Sequence, residues 1–225
     1  MGYFNSLDTI LKTSKSLSNE KNMFYMDINL LSGNYKYESK TPTAEEKFEI
    51  KKDIYSTLAH EFVHMITWYQ KDVLRASGYT ETWLNEMLAM MGEDLVDDKI
   101  IVDDIEVDGS KMRIPTFNSD YNNYDINDKD EDFDIGDYAI NGVYGLYLTR
   151  AYGYKSLQFY KDLVQSSHTS TDAIDYATNN SLSGKNFLES LKDFGKAIIL
   201  SDIYKNTVSG TDNLYYMNRT INDLN

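Results

Sequence analysis

The sequence predicts an α+β fold: a small N-terminal sheet beside a helix that carries two histidines, followed by a mainly helical second half. Three observations lead there. Asn22 to Leu31 alternates apolar and polar residues, Met23 and Tyr25 among them, which is the period of a half-buried strand. The residues after Pro42 run to about Tyr69 without Pro or Gly and repeat apolar residues at helical spacing. From Gly136 onward, further stretches of helical length are separated by breaks. At 225 residues the chain suits one working unit with two parts, residues 1–110 with the sheet and paired helices, and residues 111–225, mainly helical.

The long helix is signalled at its start. Thr43 follows Pro42 and precedes Glu46 by three positions, the spacing of a capping box. Ile54, Leu58, Phe62 and Met65 then recur at helical spacing and are expected to face a core. His60, Glu61 and His64 form H-E-x-x-H on a neighbouring stripe. In a helix the two imidazoles stand one turn apart on one face and can share a metal ion. In a strand they would lie about 13 Å apart and could not. Glu61 is offset by one position, where a general base beside the metal must stand. The chain has only 3 His, and two of them are here.

A catalytic zinc takes three protein ligands and leaves one position open. After Gly78, a helix stop, Thr80 is the expected N-cap of a second helix with Trp83, Leu84, Met87, Met91 and Leu95 facing the core. Glu86 falls inside this apolar helix, where an unpaired carboxylate is costly and a metal removes the cost. It is the expected third ligand. Glu81, nearer the exposed start, and Glu93, two turns on, are the alternatives, and Glu93 is also placed to hold a ligand His from behind.

Further along, Ile100 to Val107 reads as a second strand ended by Asp108-Gly109, a hairpin signal. Residues 115 to 137 are rich in Asp, Asn and Tyr and read as a long loop. Within it Asp125, Asn127, Asp128, Asp130, Asp132 and Asp134 alternate like calcium ligands. However, Phe133 and Ala139 occupy the positions where a calcium loop needs Gly and Glu, so a solvated loop is favoured over calcium binding. Gly136 to Gly153 reads as a helix in which Gly142 and Gly145 permit close packing. Lys155 to Gln165, Asp172 to Ala177 and Lys185 to Tyr204 complete the helical half, and the tail after Gly210 is polar.

The pairing of His60-Glu61-Phe62-Val63-His64 with Trp83-Leu84-Asn85-Glu86 resembles the gluzincin metallopeptidases, and within them the hyicolysin-like zinc metallopeptidases. Ala89-Met90-Met91, Glu93-Asp94-Leu95, Ser18-Asn19-Glu20, Phe24-Tyr25-Met26-Asp27 and the Tyr/Gly-rich segment from Tyr138 to Gly153 add to the likeness, which covers about two thirds of the chain. The resemblance implies a zincin-like fold, one catalytic Zn2+ held by His60, His64 and Glu86, and Glu61 as general base. Two departures stand out. Met87 replaces the Gly common after W-L-N-E. Met90 stands where the thermolysin-like branch has an Asp, so the residues behind the ligands differ from that branch.

The implied activity is that of a zinc-dependent endopeptidase acting on peptides or proteins. The metal acidifies water and polarises the carbonyl, and Glu61 moves the proton to the leaving amine. The developing oxyanion needs a further donor. Tyr138 is the first candidate, because the resemblance places a Tyr at the start of this helix. Tyr144 and His168 are alternatives, although with 19 Tyr in the chain most must simply pack. Arg150 is expected to pair with the acidic surface rather than with substrate. A zinc aminopeptidase and a catalytically silent peptide-binding relative are the competing readings. The first lacks a Gly-rich exopeptidase segment in Asn34 to Asp53, and the second has no need of Glu61.

Composition bounds the partners. A net charge of −14 and a pI near 4.6 leave no basic footprint for nucleic acid. The absence of Cys excludes disulfides and thiolate metal sites, and no apolar run approaches a membrane span. The start, Met1 to Ser6, fits an acylation pattern, but removal of a leader is the simpler expectation. With the family likeness it suggests a secreted or cell-surface protein. A mainly apolar substrate pocket is the general expectation for such a site.

Overall fold

The computed structural model describes residues 2–32, 43–96, 113–127, 133–153, 157–181 and 184–204. It is α+β, mostly helical, with a two-stranded antiparallel sheet at the N-terminus. Strand β1 (Gly2–Phe4) pairs with β2 (Phe24–Met26) in the register Gly2 to Met26, and Tyr3 stacks on Tyr25 across the pair. The expected strand over Asn22 to Leu31 is therefore corrected. Only three residues are extended, and helix α1 (Ile28–Ser32) follows. Asp27 is the cause, because its carboxylate accepts from the Asn29 amide at 2.8 Å and starts the turn. The segment between the strands is tied down by buried Asp8, which accepts from Asn19 and from the Tyr25 hydroxyl.

Helix α2 (Ala44–Trp68) starts at the expected capping box. The Thr43 side chain accepts from the Glu46 amide and Glu46 accepts in return from the Thr43 amide. Its buried side chains are Ile50, Glu61, Val63 and Thr67, whereas Phe62 is 49% exposed, which corrects the expected core stripe. The helix packs on α3 (Thr82–Val96) through the face that holds Val63 and the histidines, so the apolar residues next to that face are the ones left outside. A π-turn (Tyr69–Val73) extends α2, and its wide i→i+5 geometry turns Lys71 into the protein.

Helix α3 is buried from Trp83 to Asp94, almost all round, and forms the centre of the molecule. Glu81, not Thr80, precedes it as N-cap. The Glu81 carbonyl accepts from the Asn85 amide, and its carboxylate is shared between Trp83 and Ser170. Gly92 sits where α3 crosses α2. A Cβ there would lie 2.4 Å from a Val63 methyl, so only glycine allows the two helices this close approach.

Residues 115 to 137, expected as loop, include most of helix α4 (Arg113–Asp120) and a 3-10 turn (Tyr121–Asn123). The helix is built by tertiary burial of Thr116 and Phe117 against α5 (Ile135–Tyr152), a contact its Asn- and Asp-rich composition hides. Asp134 caps α5 by accepting from the Gly136 and Asp137 amides, so this member of the acidic run has a structural use. Asp128, Asp130 and Asp132 lie outside the described residues, as do the strand expected at 100–107, the 110/111 boundary and the tail after Gly210. Gly145 lets α5 seat against Met87 and Met91 of α3. Helices α6 (Gln158–Gln165), α7 (Thr171–Ser181) and α8 (Phe187–Tyr204) complete the fold, and one apolar cluster runs from Val63 through α3 and α5 to Phe194. No described helix is long and apolar enough to cross a membrane.

Candidate metal centre and cleft

Two helices meet at this site. On α2, the His60 and His64 rings stand edge to face with centroids 4.6 Å apart. On α3, Glu86 faces them: one carboxylate oxygen is 3.1 Å from His60 Nε2, the other 3.5 Å from His64 Nε2. One ligand atom from each of the three lies within 4.8 Å of the others, the only such group among the described residues. A tetrahedral ion bonded at 2.0–2.1 Å holds its donor atoms about 3.3 Å apart. The donor set and its spacing therefore fit a zinc-sized ion.

The state of each ring follows from what surrounds it. Burial alone would lower the pKa of His60, but hydrogen bonds and charges from Glu86 and Glu93 outweigh it and raise the value to about 10. Nδ1 faces Glu93 at 2.8 Å. Burial would raise Glu93, but the Arg113 charge and the His60 bond lower it to about 2, so it is an acceptor only. His60 Nδ1 must then donate, which leaves Nε2 facing Glu86, its proton marking where a metal would sit. Burial lowers the pKa of His64, whose Nδ1 is enclosed and unpartnered, so this ring is neutral and ready to bind.

Behind His60, Glu93 is saturated. It accepts from Ser56 Oγ at 2.5 Å and from the Arg113 guanidinium at 3.1 and 3.0 Å. The sequence gives no sign of Arg113. It reaches the site only because α4 is a helix, whose first residue it is, twenty residues downstream of Glu93.

Glu61 is buried beside the histidines, and burial raises its pKa. One of its oxygens, Oε2, has no hydrogen-bond partner among the described residues, and the carboxylate is approached by the Phe4 backbone amide of β1. The cleft at this point encloses about 380 Å³ and is lined by Gly2, Tyr3 and Phe4 on one side and by Asn85, Glu86 and Tyr138 on another. Strand β1 is a second element that the sequence reading missed, because three residues are too few to show a period.

Tyr138, at the start of α5, lines the cleft. Burial, then the charge of Glu86 and a hydrogen bond to it, raise its pKa, so the hydroxyl stays protonated. The two alternatives lie elsewhere. Tyr144 is fully buried in the core and bonded to Ser190 at 2.5 Å. His168 is bonded to Asp172 at 2.7 Å in a separate surface hollow. Arg150 does not pair with the acidic surface either. It is buried, and its guanidinium grips Asp94 of α3 at 2.7 and 3.0 Å.

Among curated proteins no match to this chain is found. A family model does match, and it covers nearly the whole chain: residues 1–211 fit the model described as peptidase M30. That span includes both helices of the metal group, β1 and the Tyr138 helix, and the chain accordingly belongs to the peptidase M30 family of metallopeptidases.

Proposed function

We propose that the chain is a zinc-dependent endopeptidase of the gluzincin type, with His60, His64 and Glu86 as metal ligands and Glu61 as general base. The observation that carries this reading is the meeting of three donors at metal-ligand spacing with a buried carboxylate, one oxygen of which has no partner among the described residues, in the same cleft. When bound, the ion supplies Lewis-acid polarisation of the scissile carbonyl and acidifies water. Glu61 takes the proton of the attacking water and delivers it to the leaving amine, a role that its raised pKa supports. The Tyr138 hydroxyl donates to the oxygen on which charge develops. Glu93, held by Arg113 and Ser56, fixes the ring of His60.

The test combines metal analysis with cleavage of casein and of peptides blocked at both ends. One zinc per chain, turnover abolished by a chelator and cleavage of blocked peptides are expected. In Glu61→Gln, turnover should fall by about 10²–10⁴-fold with the metal retained. Unchanged turnover in that variant would remove the mechanism, and cleavage confined to free amino termini would replace the endopeptidase with an aminopeptidase.

A further inference from the structure

The cleft does not end at the metal group. It continues along α2 onto the π-turn, where Thr67, Trp68 and Asp72 face Tyr79 and Thr80. Two oxygens here lack partners among the described residues. Thr67 is 1% exposed and its hydroxyl makes no hydrogen bond, and Asp72 Oδ1 is occluded from water without a donor. Burial raises the pKa of that carboxyl by more than the nearby Lys71 charge lowers it. The adjacent Lys71 charge acts on it only through space, because its ammonium bonds to Ser166 and to the His168 carbonyl at 2.6 Å. No Lys or Arg lines the cleft among the described residues. A buried acceptor pair of this kind is retained at a cost unless something supplies donors.

We propose that Thr67 and Asp72 form a specificity subsite that takes a positively charged group of the substrate peptide, a Lys or Arg side chain or the amino terminus. The inference rests on the peptidase reading above and names the substrate class of that same cleft. Its chemistry is complementary at each point. The Asp72 carboxylate pairs with the charge, and the Thr67 hydroxyl accepts one of its protons. Trp68 and Tyr79 offer aromatic surface to the aliphatic stem and to the cation itself. The reach is also appropriate. Eight residues of helix separate His64 from Asp72, roughly 12 Å along the axis. An extended peptide advances about 3.3 Å per residue, so the subsite lies within three or four residues of the scissile bond. This differs from the mainly apolar pocket expected for such sites in general.

The test is kcat/KM for peptides that differ at one position, Lys, Arg, norleucine or Glu, with that position moved along both sides of the bond. Each peptide is made with a free and with an acetylated amino terminus, and the zinc-loaded protein is compared with Asp72→Asn and Asp72→Lys. At one position the wild-type protein should favour Lys or Arg over norleucine by on the order of 10-fold or more. The ratio should fall toward one in Asp72→Asn and invert in favour of Glu in Asp72→Lys, a gain that misfolding cannot produce. A preference that vanishes on acetylation assigns the subsite to the amino terminus, and one that survives assigns it to the side chain. Cleavage without preference for a cation at any position, or a preference untouched in both variants, overturns the subsite while leaving the peptidase intact. Failure of the zinc-loaded protein to cleave any peptide overturns both readings.

Discussion

Helix α3 carries two buried carboxylate clusters, and they are finished in different ways. Toward α5, Asp94 is gripped by Arg150 through two parallel hydrogen bonds and sealed in the core. Toward α2, Glu86 meets two imidazoles, and the neighbouring Glu61 keeps an oxygen without a partner in an open cleft. The first cluster is complete within the protein, so its charge is neutralised and nothing further is invited. The second has donors at ligand spacing and spare acceptors, so it is completed only by something from outside. Lys71 lies between the two cases: it is buried like Arg150, but its ammonium donates to uncharged oxygens of Ser166 and His168. The difference separates scaffold from site more reliably than burial does, since both carboxylate clusters are enclosed.

Removing a ligand should give the largest separation. Glu86→Gln keeps the shape of the side chain but removes a charge from the donor set. Zinc affinity, measured by chelator competition, should fall by more than the roughly 10–100-fold typical of residues behind the ligands. A fall smaller than that would move Glu86 out of the ligand set. The scaffold cluster should answer in stability instead. Arg150→Ala leaves Asp94 charged and buried and should cost about 3–5 kcal/mol. Thermal unfolding would then drop by roughly 10 °C for a domain of this size, while zinc affinity measured on the folded fraction stays unchanged. Loss of metal without loss of stability would erase the distinction.

Arg113 sharpens the comparison because it is an arginine on a carboxylate, as Arg150 is, yet its partner Glu93 stands behind His60 of the candidate metal group. Arg113→Leu should weaken zinc binding by about 10–100-fold, with partial rescue by Arg113→Lys, which restores the charge but not both hydrogen bonds. An effect confined to thermal stability would place it with Arg150. The smallest expected effect is a pH dependence at Lys71. Burial lowers its pKa from 10.5 to about 8, so the cost of holding the charge inside is fully present below pH 8. Between the two values the unfolded chain binds more protons than the folded one, and stability therefore rises with pH across that window. Relative to Lys71→Met, the wild-type protein should gain on the order of 1–2 kcal/mol between pH 8 and pH 10 in chemical denaturation. A constant difference between the two proteins across that range would show that the lysine holds its proton in the folded state as it does in the unfolded chain.

The elements that were legible in the sequence are those whose signals are local. Thr43 and Glu46 mark a helix start within four residues, and His60 and His64 declare their shared face by spacing alone. Trp83 to Met91 announces a buried helix by composition. What stayed hidden depends on partners distant in the chain. Helix α4 exists because α5 covers Phe117, and Arg113 reaches Glu93 only as a consequence. Phe62 has the spacing of a core residue but loses its place because α3 approaches along the adjacent stripe. Tyr144 and Tyr138 cannot be told apart from six residues of sequence, yet one bonds to Ser190 in the core and the other stands beside Glu86.

The Gly92 crossing sets a limit on the metal group itself. Val63 already rests against the glycine where the two ligand-bearing helices meet, so α2 and α3 have no slack left to close. The gap between imidazoles and carboxylate is then limited from below by the Val63 side chain lying against Gly92. An ion with shorter bonds could not draw the two helices together, so the lower limit on that gap is set at a position with no side chain at all.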